Sequence, residues 1–347
     1  MPVIKICARK LLFLVLTLFL SSCMPGRQYS GPVSEIVMGT VCTINLFDRG
    51  TPALYSRVFA RLKELENIFS FHIEDSDLNK VNLNAGIAPV MVNPELIEVL
   101  AKAMEYAEKS GGYFDPSIGP LVKLWGIGGN SPRVPNEEEI KQTLDLVNYR
   151  EIEIDKEEGT VFLKRRGMIL DLGAIAKGYA ADELSRLLAL EGLERGIIDL
   201  GGDIFALGER EDGAKWRIGI QDPRDDRGSY FGILEIQNKS VVTSGIYERS
   251  FVEEESRYHH ILSTLSGYPV DNGLLSVTVV ADNAIDADAL STAAFALGWE
   301  TGFELIAQVP GAAVIFVSED LTVRLSEGME KYFTISSNDY NFAVSMD

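Results

Sequence analysis

The sequence predicts an α+β fold of mixed, largely antiparallel sheets with packed helices. Helical and strand-like signals come in blocks rather than in strict alternation, which argues against a doubly wound parallel sheet. Strand-like runs sit on either side of short turns, as at 151–155 and 160–164 around a turn that ends in Gly159. The 347 residues are 46% hydrophobic with a mean hydropathy of +0.07, which describes a globular chain able to bury a sizeable core. No solenoid-period repeat, low-complexity tract or linker divides it, so one compact catalytic unit is expected.

Taken in order, the first 22 residues are a targeting segment rather than a fold element. Lys5, Arg9 and Lys10 precede an apolar run at 11–20 that is too short to span a membrane as a mature helix. Leu20-Ser21-Ser22-Cys23 has the form of a bacterial lipobox, in which Cys23 is diacylated and becomes the new N-terminus. The expected division is a lipoprotein signal peptide at 1–22, a lipidated tether at 23–34 and the catalytic domain at 35–347. This makes the protein an exported bacterial lipoprotein, anchored to a membrane through Cys23 and facing the periplasm. An ordinary signal peptide with a coincidental cysteine would leave it unanchored. Cys7 is removed and Cys42 is alone, so no intrachain disulfide is available, and Cys42 reads as a small core residue.

Residues 35–47 alternate in the manner of a strand. Leu54, Val58, Leu62, Leu65 and Phe69 keep helical spacing over 51–69, and Asn93-Pro94 opens a second amphipathic helix through Leu96, Val99, Leu100, Ala103 and Ala107. A third helix is expected after Asn136, with further strands at 196–200, 216–220, 241–243, 257–262, 275–281 and 312–317.

The formal charge is −19, and loss of the three cations in the first 22 residues takes it to −22. Such a surface repels nucleic acid, which is excluded as a partner. It also repels phosphate dianions, so a bound phosphate needs local cations, usually including a divalent metal.

Three segments carry chemistry. Residues 169–182, ILDLGAIAKGYAAD, read as a strand ending in an acid, a small-residue turn and a helix start that carries Lys177. Close backbone approach, free N–H groups and a lysine suit an anionic ligand, although an unliganded strand, turn and helix explains the fragment equally well by itself. Residues 113–129, YFDPSIGPLVKLWGIGG, read as a rigid loop that is neither helix nor strand. So many apolar side chains in a loop imply inward packing or a wall for a flat ligand. In ADALSTAAFALG, 287–298, Asp288 and Thr292 are four residues apart, which on a helix sets their Cβ atoms about 6 Å apart on one face. An acid and a hydroxyl so placed can serve a hard cation such as Mg²⁺, while capping and packing are the plain alternatives.

In order along the chain, Met38-Gly39-Thr40, FDPSIGPLVKLWG from Phe114, LDLGAIAKGYAAD from Leu170, IDLGGDI from Ile198, IGIQDPR from Ile218, TSGIYER from Thr243, YHHI from Tyr258 and ADALST from Ala287 closely resemble the ApbE family of FAD:protein FMN transferases. The resemblance implies a single ApbE-like domain that uses FAD as substrate and Mg²⁺ as cofactor. By the same resemblance, Asp288, Thr292 and the Ala174 carbonyl ligate the metal, and Met38, His72, Phe114, Asp115, Asp171, Lys177 and Ile261 line the FAD site. Lys177 neutralises the pyrophosphate and His260 is the candidate general base, with an orienting or structural role as its alternative; His259 reads as structural.

The implied reaction moves FMN from FAD onto a threonine or serine hydroxyl of an exported or membrane redox protein, releasing AMP. Acceptors of the family present a loop of the form Asp-x-x-[Ser/Thr]-Gly-Ala-[Ser/Thr]. A FAD pyrophosphatase giving FMN and AMP, or a non-catalytic lipid-anchored FAD carrier, are the alternatives. The chain departs from the family pattern at Gly173-Ala174, where Gly-Gly is common, at Ser263-Thr264, where Asp-Pro is common, and at His72, where an aromatic stacking residue is common.

Overall fold

From the N-terminus, β1 (Val33–Val37) and β2 (Thr40–Leu46) lead into α1 (Pro52–Phe69), α2 (Asp77–Leu83), β3 (Val90–Met91) and α3 (Pro94–Lys109). Helices α4 (Gly119–Trp125) and α5 (Glu137–Leu144) follow, then β4 (Ile152–Asp155), β5 (Thr160–Leu163), α6 (Ala176–Leu190), β6 (Gly196–Leu200) and β7 (Asp203–Leu207). Next come β8 (Trp216–Gln221), β9 (Tyr230–Ile236), β10 (Lys239–Gly245) and the small hairpin β11 (Ser250–Glu253) and β12 (Ser256–His259). The chain closes with β13 (Leu274–Ala281), α7 (Ala284–Leu297), α8 (Trp299–Ala307), β14 (Ala313–Ser318), β15 (Thr322–Leu325), β16 (Phe333–Ile335) and β17 (Asn341–Ala343). This computed structural model describes residues 31–225 and 228–343; the targeting segment and Cys23 lie outside the described residues. No described helix is long and apolar enough to cross a membrane.

The fold is α+β. Its main sheet has nine strands in the order β1-β2-β6-β7-β10-β13-β14-β15-β17, antiparallel at every junction except β15 with β17. Successive side chains of a strand point to opposite faces, and here both faces are covered. Val242, Val279, Val314 and Phe316 pack into the helical core with α1, α3, α6 and α7, whereas Val241, Val280, Ile315 and Val317 pack against Trp216, Phe231 and Leu234 of the three-stranded sheet β16-β9-β8. This two-sided burial explains why β13 is apolar almost without interruption.

Helix starts are set by local chemistry. Thr51 accepts a hydrogen bond from the Leu54 N–H at the start of α1, Asn93 caps α3 ahead of Pro94, and Asn136 with Glu139 forms a reciprocal capping box on α5. In α7 the Asn283 side chain forms no cap bond; instead Asp182 of α6 accepts from the N–H groups of Ala284 (2.7 Å) and Ile285 (2.9 Å). The two helices are thereby joined at the point where the site forms.

Three sequence expectations change. Residues 35–47 are a hairpin rather than one strand, turned at Met38 (φ 55°) and Gly39 (φ 69°), because a two-residue turn with both φ positive leaves the alternating pattern nearly unbroken. The segment 113–129 contains helix α4, which Pro120 can start and Gly126 (φ 62°) terminates. Residues 169–171 form only one parallel bridge, between Ile118 and Ile169, and not a strand. Helices α2 and α8 and strands β7, β9, β15 and β17 carried too little periodicity to be read from sequence.

Candidate active site

The site forms where α6 crosses α7. Gly178 permits the crossing, since a Cβ at that position would lie 2.3 Å from the Ala284 carbonyl oxygen. Its N–H, which in a regular turn would bond the Ala174 carbonyl, donates to Asp288 Oδ2 instead (3.0 Å). One residue earlier, Lys177 Nζ lies 2.9 Å from Asp203 Oδ2 and 3.6 Å from Asp288 Oδ2. Burial by itself would pull this ammonium down, but Asp203 and Asp288 outweigh it and hold it above the usual lysine range. For Asp288 the balance is opposite: burial raises the carboxyl, Lys177 offsets this in part, and Asp203 adds to the rise.

Asp288 and Thr292 share a face of α7, as the spacing requires. Ser244 Oγ of β10 lies 3.2 Å from Thr292 Oγ1 and 2.9 Å from Ser291 Oγ, and Ser291 donates to the Asp288 carbonyl. A divalent cation fits the chemistry here: a buried carboxylate, a hydroxyl on the same helix face and a carbonyl whose helical donor has been diverted. Asp203 Oδ2 is also buried and, apart from its ion pair, makes no hydrogen bond among the described residues. No group of three or more His, Cys, Asp or Glu side chains suited to a metal occurs among the described residues. Any ion would therefore rely on few protein ligands, as Mg²⁺ commonly does.

The first two motif segments lie side by side. Gly119 N–H donates to the Ile169 carbonyl (3.1 Å) and Asp171 N–H to the Pro116 carbonyl (2.9 Å). Asp115 is buried with both carboxylate oxygens engaged, Oδ1 by the Ser117 N–H and hydroxyl and Oδ2 by the Tyr149 N–H, so it braces the loop. Phe114 is buried, and Met38 occupies the β1–β2 turn against the main core. Asp171 accepts from the Gly173 N–H at 2.7 Å. Burial raises its carboxyl, against the pull of that bond and of the charges of His72, Arg249 and Lys177. His72 is exposed, edge-on to Phe71 at 5.1 Å.

His260 is tied to the Arg249 carbonyl by its N–H (3.1 Å) and by Nδ1 (3.3 Å). A carbonyl can only accept, so Nδ1 carries the proton and Nε2 presents a lone pair. Burial, Arg249, His259 and Lys177 together depress this imidazole to about 4. His259 is a buried structural histidine: Nε2 meets the Val270 carbonyl at 2.9 Å and Nδ1 accepts from Ile261 N–H. Ile261 is buried beside it. Ser263, at the unusual Ser-Thr, closes the following turn by accepting from Leu265 and Ser266 N–H, and Thr264 donates to the Gly112 carbonyl. Cys42 is fully buried, its thiol pushed up to about 12 chiefly by burial, in keeping with a core role.

Lys177, Ala174, Asp288, Thr292, Asp171 and His260 thus gather around one crossing, and Asp115 and Ile261 are buried. Three further residues there had no role assigned from sequence: Asp203, Ser244 and Arg249. Each lies in a run already singled out, IDLGGDI or TSGIYER. Only the fold brings them next to Lys177, Thr292 and His260.

Fold and side-chain geometry together define an α+β protein with a charged site suited to an anionic ligand held beside a cation. The sequence profile of the ApbE family matches residues 38–316, and the chain belongs to that family. The FAD:protein FMN transferase of Treponema pallidum (strain Nichols) is 38% identical over 320 residues, 87% of this chain and 88% of that protein. One from Klebsiella pneumoniae (strain 342) is 37% identical over 315 residues, covering 91% and 97%. Among solved structures, the ApbE protein of Thermotoga maritima superposes with a TM-score of 0.80 at 33% identity, over 87% of this chain and 98% of that one. The flavin transferase ApbE of Vibrio cholerae gives a TM-score of 0.77 at 27% identity, with the same coverage.

Proposed function

We propose that the protein is a FAD:protein FMN transferase that attaches FMN from FAD to a threonine or serine hydroxyl of another exported or membrane protein and releases AMP. The observation that carries this reading is the gathering of Ala174, Lys177, Asp288, Thr292 and His260 around the α6–α7 crossing, in a chain 38% identical to a protein of that name. The acceptor oxygen forms a bond to the FMN phosphorus as the bond from that phosphorus to the AMP oxygen breaks, and AMP leaves with the electron pair. The hydroxyl proton goes to Nε2 of His260, which is neutral at physiological pH. Asp288, Thr292 and the Ala174 carbonyl would hold a Mg²⁺ ion, which would supply positive charge to the pyrophosphate. Phe114 and Met38 belong to the wall against the flavin.

The acceptor acts in trans. The chain's nearest approach to an acceptor loop is Thr243-Ser244-Gly245-Ile246-Tyr247, with isoleucine in place of alanine and tyrosine at the acceptor position. Residues 243–245 lie within β10, and the Ser244 hydroxyl is engaged by Ser291 and Thr292. Diacylated Cys23 anchors the protein to a membrane, facing the periplasm; fatty-acid labelling that persists in Cys23→Ala would remove that part of the proposal.

The deciding experiment incubates the purified protein with FAD and Mg²⁺, with and without a domain carrying the Asp-x-x-[Ser/Thr]-Gly-Ala-[Ser/Thr] loop. Mass spectrometry is expected to find an added FMN on that domain only. AMP and free FMN without flavinylation would instead establish the pyrophosphatase, and bound, unchanged FAD would establish the carrier.

A further inference from the structure

We infer that Arg249, a residue with no role assigned from sequence, is a side-chain cation that binds the pyrophosphate of FAD beside the proposed metal, because the charge of Lys177 is already shared with carboxyl groups. The inference rests on the substrate being FAD. Lys177 is within ion-pair distance of both Asp203 and Asp288, so its charge is already shared by two carboxyl groups before any ligand arrives. Arg249 is exposed and forms no salt bridge among the described residues, its carbonyl holds His260, and its charge acts on Asp171, Lys177 and His260, which come from separate segments. A guanidinium with no salt bridge among the described residues, in the company of a partly buried acid, a committed lysine and a neutral imidazole, has its donors available for a phosphate, which it can take with two parallel hydrogen bonds.

Two features hold it there. Gly128 (φ 82°), in the loop after α4, lies against the aliphatic stem: a Cβ added to it would be 3.2 Å from Arg249 Cδ. The Arg249 carbonyl anchors His260 through both N–H and Nδ1. Backbone and side chain therefore do separate jobs. The main chain seats the histidine regardless of the side chain, and the guanidinium is left to meet the ligand. Replacing the side chain should remove pyrophosphate binding without unseating His260.

The test is equilibrium binding of FAD and of riboflavin, which lacks phosphate, to wild type, Arg249→Gln and Arg249→Lys, with Mg²⁺ and with chelator. Arg249→Gln is expected to weaken FAD binding about tenfold or more in both conditions, as loss of a charge-assisted contact implies. Riboflavin affinity should stay within about twofold of wild type, and Arg249→Lys should recover part of the loss as a point charge. FAD affinity unchanged in Arg249→Gln would overturn the inference, and so would an equal fall for both ligands with an unaltered thermal midpoint. If wild type binds riboflavin but not FAD, the transferase reading fails first and the role of Arg249 fails with it.

Discussion

Lys177 cannot offer an incoming anion its full charge, because Asp203 and Asp288 share it at 2.9 and 3.6 Å. The same contacts explain why a partly buried lysine stays protonated, when desolvation alone would favour the neutral amine. Asp288 is the more exposed to mutation in function, since its carboxylate contacts the Gly178 N–H and Lys177 and is the one acidic side chain in the proposed metal set. Asp288→Asn keeps the size and an acceptor for that N–H but removes the charge. We expect it to fold as wild type by circular dichroism and to lose Mg²⁺-dependent AMP release by about a hundredfold or more. Turnover close to wild type would remove Asp288 from the metal site.

At the scale of elements, α6 and α7 behave as one joint. Asp182 of α6 caps the first N–H groups of α7, and Gly178 of α6 lets the α7 backbone approach. Gly178→Ala would place a methyl 2.3 Å from the Ala284 carbonyl and 2.7 Å from Ile285 Cα, contacts that only a helix shift can relieve. Overpacking of this kind costs about 1–3 kcal/mol. The shift also draws the Gly178 N–H from Asp288, so urea unfolding should occur at lower denaturant and FAD turnover should fall together. Preserved stability with preserved turnover would show that the joint is slack.

Over the whole molecule, one polar latch ties the small sheet to the C-terminal segment on the side away from the helices. Asp222, just after β8, accepts from Arg224 Nε (3.0 Å) and Nη2 (2.8 Å) and from the Tyr340 hydroxyl (2.7 Å). Those bonds, Arg224 first, outweigh burial and hold its carboxyl down at about 2. A carboxyl lowered on folding contributes stability above its unfolded value and loses it as pH falls through its folded value. Wild type should therefore exceed Asp222→Asn in stability at pH 7, with the gap closing between about pH 4 and pH 2. Urea titrations across that range measure it, and a gap independent of pH would assign the latch to shape rather than charge.

By itself the sequence determined the α+β class, the long capped helices and the central strands, because caps and periodic apolar positions are local signals that survive in any packing. It also singled out the runs that meet at the α6–α7 crossing, and Asp288 with Thr292 on one face, since four residues of helix fix that geometry. Only the tertiary structure decided that Met38 turns a hairpin, that 119–125 winds as a helix and that 169–171 stays a bridge, because each depends on neighbours far along the chain. The partners of the charges were decided there too. Asp203 meets Lys177 across 26 positions, Gly178 meets Asp288 across 110, and Arg249, at the base of the β11–β12 hairpin, holds His260 through its carbonyl. Whether a lysine is free or committed is a matter of ångströms between distant segments, and spacing along a chain does not encode it.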